Sequence, residues 1–494
     1  MTIQPLELTR ATLNKHHKML IGKDWRLADS KKTFEVFNPA TGDVIATVPQ
    51  GGPHDIDLAV QAARENFASR DWRGQSSDDR AKVLWRFAEL IDNHRDEIAK
   101  LDVLDNGMPM ALATAMISAS STWLRHFASE SGKICGINAS GALSSSSVEF
   151  HAYTAREPVG VAGLILAWNG PAGAFLAKAA PALAAGCSLV IKPADQTPLS
   201  ALRLGELALE AGFPPGTLNI VTGLGDAGQA LVEHPGVDKI SFTGSTAVGK
   251  QIVRTAAETL KRVTLELGGK SPCIVFDDAD MEIAIPTAAM SIFANTGQIC
   301  FAGSRLYVQK KSFERVVAGV AQIAESLCVG DGFDSKTQIG PVISDKQRKR
   351  VEDYIALGRE EGADIVGVGS SLPDKGFFVR PTVFTNAKPS MRIVREEIFG
   401  PVLVVTPFDN VEDVVPMANA TRYGLGAGIF TTDVNKIHRI AARIEAGNIW
   451  ANCYGVNHAS MPFGGYKESG WGRELGSEGL DGFLETKSVF VQLH

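Results

Sequence analysis

At 494 residues the chain is too long for one hydrophobic core, because single cores stop growing near roughly 250–300 residues, so at least two domains are expected. With 45% hydrophobic and 21% charged residues it has neither a disordered nor a fibrous composition, and its formal net charge of −6 argues against a general nucleic-acid binder, which needs a basic face. Residues 1–25 are polar and lack the apolar core and small-residue cleavage site of a secretory signal; no stretch approaches the about 18 apolar residues of a membrane span, since the run from Val159 is broken at Gly170 and Pro171. A cytoplasmic protein with no membrane and no nucleic-acid partner is expected.

Two amphipathic helices are expected at 56–68 and 82–101. A Ser- and Gly-rich stretch, 132–153, turns β-like from Val148. From about 158 to 268, short β-rich runs at 159–166, 188–191, 218–221, 239–242 and 262–267 alternate with helical segments at 172–185, 199–211, 227–233 and 246–260. This alternation predicts an α/β fold with a parallel, Rossmann-like sheet and right-handed crossovers. A second α/β series follows, with strands expected at 273–276, 306–308, 402–405, 427–430 and 448–451, and the tail 485–493 is again β-like. Two isolated strands would leave exposed edges, and pairing across subunits is one way to cover them.

Gly223-Leu-Gly225-Asp-Ala-Gly228 fits a dinucleotide fingerprint, but a glycine-rich turn is equally required by any strand-to-helix connection. Phe242-Thr243-Gly244-Ser245-Thr246 ends a strand and opens a helix, where free N–H groups can receive a diphosphate. Lys192-Pro193-Ala194-Asp195 closes the second strand, where a ribose-reading residue is expected. Cys300, in a polar turn after Gly297, is a candidate nucleophile, and Glu266, at a strand end beside two glycines, a candidate base. Singly, either is more simply a buried thiol or a strand-end acid. The other cysteines, Cys135, Cys187, Cys273, Cys328 and Cys453, form no CxxC pair, so neither a disulfide framework nor a metal site is expected. There is no GxSxG elbow and no HExxH motif, so hydrolase readings lack their parts.

Taken together, Phe37-Asn38-Pro39-Ala40-Thr41-Gly42, Ala167-Trp168-Asn169, Phe242-Thr243-Gly244-Ser245, Glu266-Leu267-Gly268-Gly269-Lys270, Gly297-Gln298-Ile299-Cys300, Glu396-Glu397-Ile398-Phe399-Gly400-Pro401 and Pro462-Phe463-Gly464-Gly465 resemble, in order, the motifs of the NAD(P)-dependent aldehyde dehydrogenase superfamily. The resemblance spans almost the whole chain. It implies the aldehyde dehydrogenase fold, with a cofactor domain of 1–131 and 154–265, a catalytic domain of 266–465, and oligomerisation segments at 132–153 and 480–494 that build a homodimer or homotetramer.

It also implies that Cys300 is the nucleophile, Asn169 an oxyanion donor and Glu266 the general base, with Lys178 and Glu474 passing protons onward. The implied cofactor surface is Ile165, Leu166, Trp168, Lys192, Asp195, Gly225, Phe242, Gly244, Ser245, Leu267, Gly268, Glu397 and Phe399. NAD-preferring relatives commonly carry Glu where this chain has Asp195; the carboxylate still repels a 2′-phosphate, so NAD is expected, while the shorter reach stays compatible with NADP. Glu266 weighs against a CoA-acylating relative, and the retained site residues weigh against a non-catalytic one. On the substrate side, Gly170, Ala177, Ala294 and Asn457 are small or polar where many relatives carry large aromatics. Ala174 adds space, and Ile299, Phe301, Tyr454 and Phe463 supply apolar walls. Neither an aromatic cage nor an arginine stands among 168–178 or 452–462. The expected substrate is a bulky hydrophobic aldehyde, aromatic or terpenoid, with a broad-specificity aliphatic enzyme as the alternative. Residues 480–487, Leu-Asp-Gly-Phe-Leu-Glu-Thr-Lys, also resemble phenylacetaldehyde dehydrogenases.

Overall fold

The structure, a computed structural model, describes residues 17–145, 148–369 and 371–493. The reading of residues 1–16 as a polar start therefore lies outside the described residues, as do 146, 147 and 494 of the two expected oligomerisation segments.

Among the described residues, eight strands form one sheet in the order Asp24–Arg26, Met19–Ile21, Leu218–Ile220, Ser188–Lys192, Val161–Ile165, Lys239–Thr243, Arg262–Glu266, Gly470–Trp471. The inner five are parallel and every residue of Val161–Ile165 and Ser188–Lys192 is buried, as expected for strands covered on both faces. The helices Pro171–Ala185, Leu199–Ala211, Gly225–Glu233 and Thr246–Ala257 fill the crossovers. Pro171–Ala185 starts on Pro171, ends on the left-handed Gly186, and leaves only Ala174 incompletely buried. Burying its Phe175, Leu176 and Leu183 stabilises the fold by about 1.5–3 kcal/mol each. The order in which strands are added reverses between the parallel neighbours Val161–Ile165 and Lys239–Thr243, so a crevice opens beyond their carboxyl ends.

A second sheet has the order Asp364–Val368, Thr382–Thr385, Val402–Phe408, Arg305–Gln309, Pro272–Val275, Gly426–Phe430, Asn448–Ala451, parallel except between the first two. The five expected strands are all present; Asp364–Val368 and Thr382–Thr385, bordered by exposed, polar sequence, are additional.

Three expectations change. The single helix expected at 82–101 is two, Ser77–Asn93, capped by Ser76, and Arg95–Asn106. The break falls at His94, whose ring meets Glu97 and Arg203 and so belongs to a polar network rather than a helix interior. The first β-like stretch runs as Glu149–Pro158, across the expected boundary at residue 153. It pairs antiparallel with Leu484–Leu493 along ten residues of the same chain, so each covers one edge of the other without a second subunit. Tyr153, Phe490, Val491 and Leu493 remain exposed on this ribbon.

Candidate active site

A cleft of about 1040 Å³ occupies the crevice at the carboxyl ends of the first sheet. All thirteen residues expected on the cofactor surface line it, together with Asn169 and Cys300. At one end lie Lys192, Asp195 and Gly225. Lys192 is buried, which pushes its ammonium below the usual lysine range, against the pull of Asp195 and Asp226. Ser245 caps the helix Thr246–Ala257 by accepting from the Val248 N–H, leaving other first-turn amides toward the cleft. The glycine fingerprint divides. A Cβ on Gly223 would stand 2.5 Å from the Gly51 carbonyl, so that glycine serves packing, while Gly225 and Gly228 line the cleft.

At the other end stands Cys300, half-buried, on a loop whose shape is set by Asn295, Thr296 and Gly297, all at positive φ. Gly297 is required twice, since a Cβ there would also lie 2.2 Å from the Gly400 carbonyl. The loop is tied down by Thr296 Oγ1 donating to the Gly340 carbonyl at 2.8 Å and by Gln298 Oε1 accepting from the Ile343 N–H at 2.9 Å. Asn169 is locked to it from the first sheet: its Nδ2 donates to the Gln298 carbonyl at 2.9 Å, and its own carbonyl accepts from Asn295 Nδ2 at 2.9 Å. The amide thus faces the segment carrying the thiol, with its second N–H available to an oxygen developing there.

Glu266 ends strand Arg262–Glu266, is 2% exposed, and neither carboxyl oxygen has a hydrogen-bond partner among the described residues. Burial, reinforced by Glu474, holds its carboxyl well above the usual carboxylate range. Burial also pushes the Cys300 thiol up, with Glu266 and Glu397 adding to the effect. Beside Glu266, Lys178 makes an ion pair with Glu474, and the lysine also donates to Ser241 Oγ at 3.1 Å. The five residues singled out for catalysis thus lie on four stretches of chain, Asn169 and Lys178 sharing the one that runs into the helix Pro171–Ala185.

Glu397 approaches from the opposite wall. Its Oε1 accepts from the Gly269 N–H at 2.9 Å, and a Cβ on Gly268 would lie 2.3 Å from its Oε2, so only glycine admits the carboxyl there. Phe399 meets Trp168 edge-on, ring centroids 5.2 Å apart. Gln347, which donates to the Ile398 and Phe399 carbonyls, and Arg350, which donates to the Glu397 carbonyl, also line the cleft. Both sit on the polar helix Asp345–Glu360, where nothing in the sequence marked them out.

The substrate-side residues are more dispersed. Phe301, adjoining Cys300, has ring centroids of Trp450, Phe463 and Tyr454 at 5.3, 5.8 and 6.4 Å, and the Tyr454 hydroxyl donates to the Phe301 carbonyl at 2.6 Å. Trp450 is a wall residue not anticipated. Ala174 and Phe463 pack on the first core, Ala177 is buried, Ala294 opens a short turn, and Asn457 is exposed. Ile299 instead packs on the second core and shares a crevice with Ile292 and Val402. The space at Gly170 is narrowed from the helix Met110–Glu130: the Met116 methyl lies 2.7 Å from where a Cβ on Gly170 would be.

A model of the aldehyde dehydrogenase family matches residues 25–489. Phenylacetaldehyde dehydrogenase of Pseudomonas fluorescens is 45% identical over 480 residues, 96% of each chain. Among solved structures, the NAD+ complex of aldehyde dehydrogenase from Bacillus cereus superposes with a TM-score of 0.97 at 46% identity over 100% of both chains. Betaine aldehyde dehydrogenase from Staphylococcus aureus, in complex with NAD+, superposes at 0.94 with 38% identity, covering 97% of this chain and 95% of that one. With the family model matching nearly end to end and relatives this similar over their full length, the chain belongs to the aldehyde dehydrogenase family.

Proposed function

We propose that this aldehyde dehydrogenase uses NAD to oxidise hydrophobic aldehydes, aromatic or branched terpenoid, to carboxylic acids through a thioester on Cys300. The dinucleotide reading is supported by the fit of the cleft: a buried Lys192 and Asp195 at one end, the open Gly225, a capped helix start at Ser245, and the Glu397 carboxyl at the thiol end. Lys192 and Asp195 would hold the adenosine ribose and Glu397 the nicotinamide ribose.

As the Cys300 sulfur bonds to the aldehyde carbon, its proton passes to Glu266, whose raised affinity for protons suits it to accept. The oxyanion formed is met by the Asn169 amide and the Cys300 N–H. Collapse of this adduct breaks the C–H bond and leaves the acyl group on sulfur. When bound, the nicotinamide ring supplies the acceptor for the departing hydride. Glu266 hands its proton toward Glu474 and Lys178, then takes another from water as the water oxygen attacks the thioester, releasing the acid and restoring the thiol.

The observation that carries the substrate reading is the four-ring cluster of Phe301, Trp450, Tyr454 and Phe463, which adjoins the nucleophile in sequence through Phe301. The Met116 methyl over Gly170 favours the second reading, a broad-specificity aliphatic enzyme. The test compares kcat/KM for acetaldehyde, betaine aldehyde, phenylacetaldehyde and geranial with NAD. Each buried CH₂ contributes up to about 0.8 kcal/mol, so the two hydrophobic aldehydes are expected to lead by about tenfold or more, and Ala177→Trp to remove that lead. A wild type that prefers acetaldehyde overturns the reading. The division into domains given above and self-association as a homodimer or homotetramer belong to the same proposal, the latter supported by Tyr153, Phe490, Val491 and Leu493 on the exposed ribbon and checked by sedimentation.

A further inference from the structure

We propose that Lys346 grips the diphosphate linkage of the bound dinucleotide and sets its affinity, a role resting on the reading that this cleft takes NAD. Lys346 is the second residue of the helix Asp345–Glu360 and lines the same cleft as Gly244 and Ser245. A cation there is unexpected, because the N-terminal turn of a helix already carries partial positive charge and favours acids.

The turn's own acid does not offset it. Asp345 is taken by Arg348 at 2.6 Å and Lys349 at 2.8 Å, both pointing back along the helix. The other cleft cations are also occupied: Lys192 Nζ donates to the Pro193 carbonyl at 3.1 Å, and Arg350 donates to the Glu397 and Ile398 carbonyls. Lys346 alone among them has a side chain with no hydrogen bond and no ion pair among the described residues.

The helix start around it is shaped for an anion. The Ser344 side chain caps only the Gln347 N–H, so the amides of Asp345 and Lys346 have no acceptor among the described residues. A second capped start, at Ser245, lines the same cleft. The diphosphate lies between the two riboses of the dinucleotide, hence between the Asp195 and Glu397 ends. An ammonium on a flexible stem beside two helix starts is suited to that charge. Asp226, which also lines the cleft, is the carboxylate that would oppose it.

The test titrates wild type, Lys346→Ala, Lys346→Glu and Lys346→Arg with NAD, ADP and adenosine, following intrinsic tryptophan fluorescence. The expected result is that Kd for NAD and ADP rises about five- to twentyfold in the alanine variant and further in the glutamate variant. Arginine should restore it to within about twofold, and adenosine, which lacks phosphate, should bind all four alike. KM for NAD should rise in parallel while kcat at saturating NAD changes less than about twofold. Unchanged NAD affinity in the alanine and glutamate variants overturns the proposal, as does an equal loss of ADP and adenosine, which would mark a structural role. Failure of the underlying reading looks different: wild type would not bind NAD, or Lys192→Ala and Glu397→Gln would bind it normally.

Discussion

Glu266 and Glu397 reach the thiol from opposite walls, one from the end of a strand of the first sheet, the other from the loop before Val402–Phe408. Glu266 is buried and Glu397 half-buried, and removal from water raises both carboxyl groups. Their surroundings differ in one respect: Glu397 accepts a backbone N–H from Gly269 and lies within reach of the Lys270 charge, whereas Glu266 has no donor and faces another acid, Glu474. A carboxylate with a fixed donor has its geometry set and makes a good acceptor for neutral hydroxyls. One left without a donor gains most by taking up a proton. The same side chain is thus suited to the proposed role of holding the cofactor on one wall and to proposed proton transfer on the other.

The comparison presupposes a thiol to serve, so Cys300→Ser should have the largest effect, lowering kcat by about 10⁴ or more while NAD binding stays within about twofold, as read by turnover and cofactor titration. Next, Glu266→Gln should cost about 10²–10⁴ in steady-state rate, with a slowed but still visible burst of NADH in which the thiol proton is lost to water instead, showing that deacylation is the step hit hardest. Wild-type rate should rise with pH as Glu266 loses its proton above the usual carboxylate range, and the variant should lack that limb. Stability should move oppositely. A carboxyl raised in the folded state favours the fold at low pH and loses that advantage as pH climbs from the ordinary glutamate value toward the raised one, so Glu266→Gln should raise Tm at pH 8 by about 2 °C and leave it unchanged at pH 4. Glu397→Gln should do something milder and different in kind, raising KM for NAD about tenfold with a smaller change in kcat, measured by initial rates. Smallest of all, Asp195→Ser should improve kcat/KM for NADP relative to NAD by about a few-fold, by removing a half-buried carboxylate that repels the 2′-phosphate.

That the residues of the proposed cofactor wall line one cleft was legible because their signals are local. A strand stopped by Lys192-Pro193, a glycine pair after Glu266 and a serine before a helix each carry their geometry in adjacent residues, and the sheet order brings them to one cleft. The proposed substrate wall was less so. Met116 and Trp450 enter it from a helix and a strand whose sequences read only as apolar segments, and Ile299 turns toward the other core although it adjoins Cys300. Gln347 and Arg350 were hidden for the opposite reason, being polar residues on a polar helix whose contacts are to backbone carbonyls of 397–399. The break at His94 depends on Arg203, more than one hundred residues away, and no local rule reports it.

The first sheet is closed at one edge by the hairpin of Met19–Ile21 and Asp24–Arg26 and at the other by Gly470–Trp471, which hydrogen-bonds along Leu265 and Glu266. The strand bearing the proposed base is therefore flanked on one side by residues made about two hundred positions later. A nascent chain released as far as residue 465 holds every parallel strand of that sheet yet lacks the final one, along with Glu474 and the ribbon partner Leu484–Leu493. Folding on the ribosome must keep a completed core with an open edge waiting until the second sheet has been made, a high-contact-order closure that slows the last step and exposes that edge to misassociation meanwhile. A chain that stops before Gly470 therefore cannot display a finished Glu266 wall.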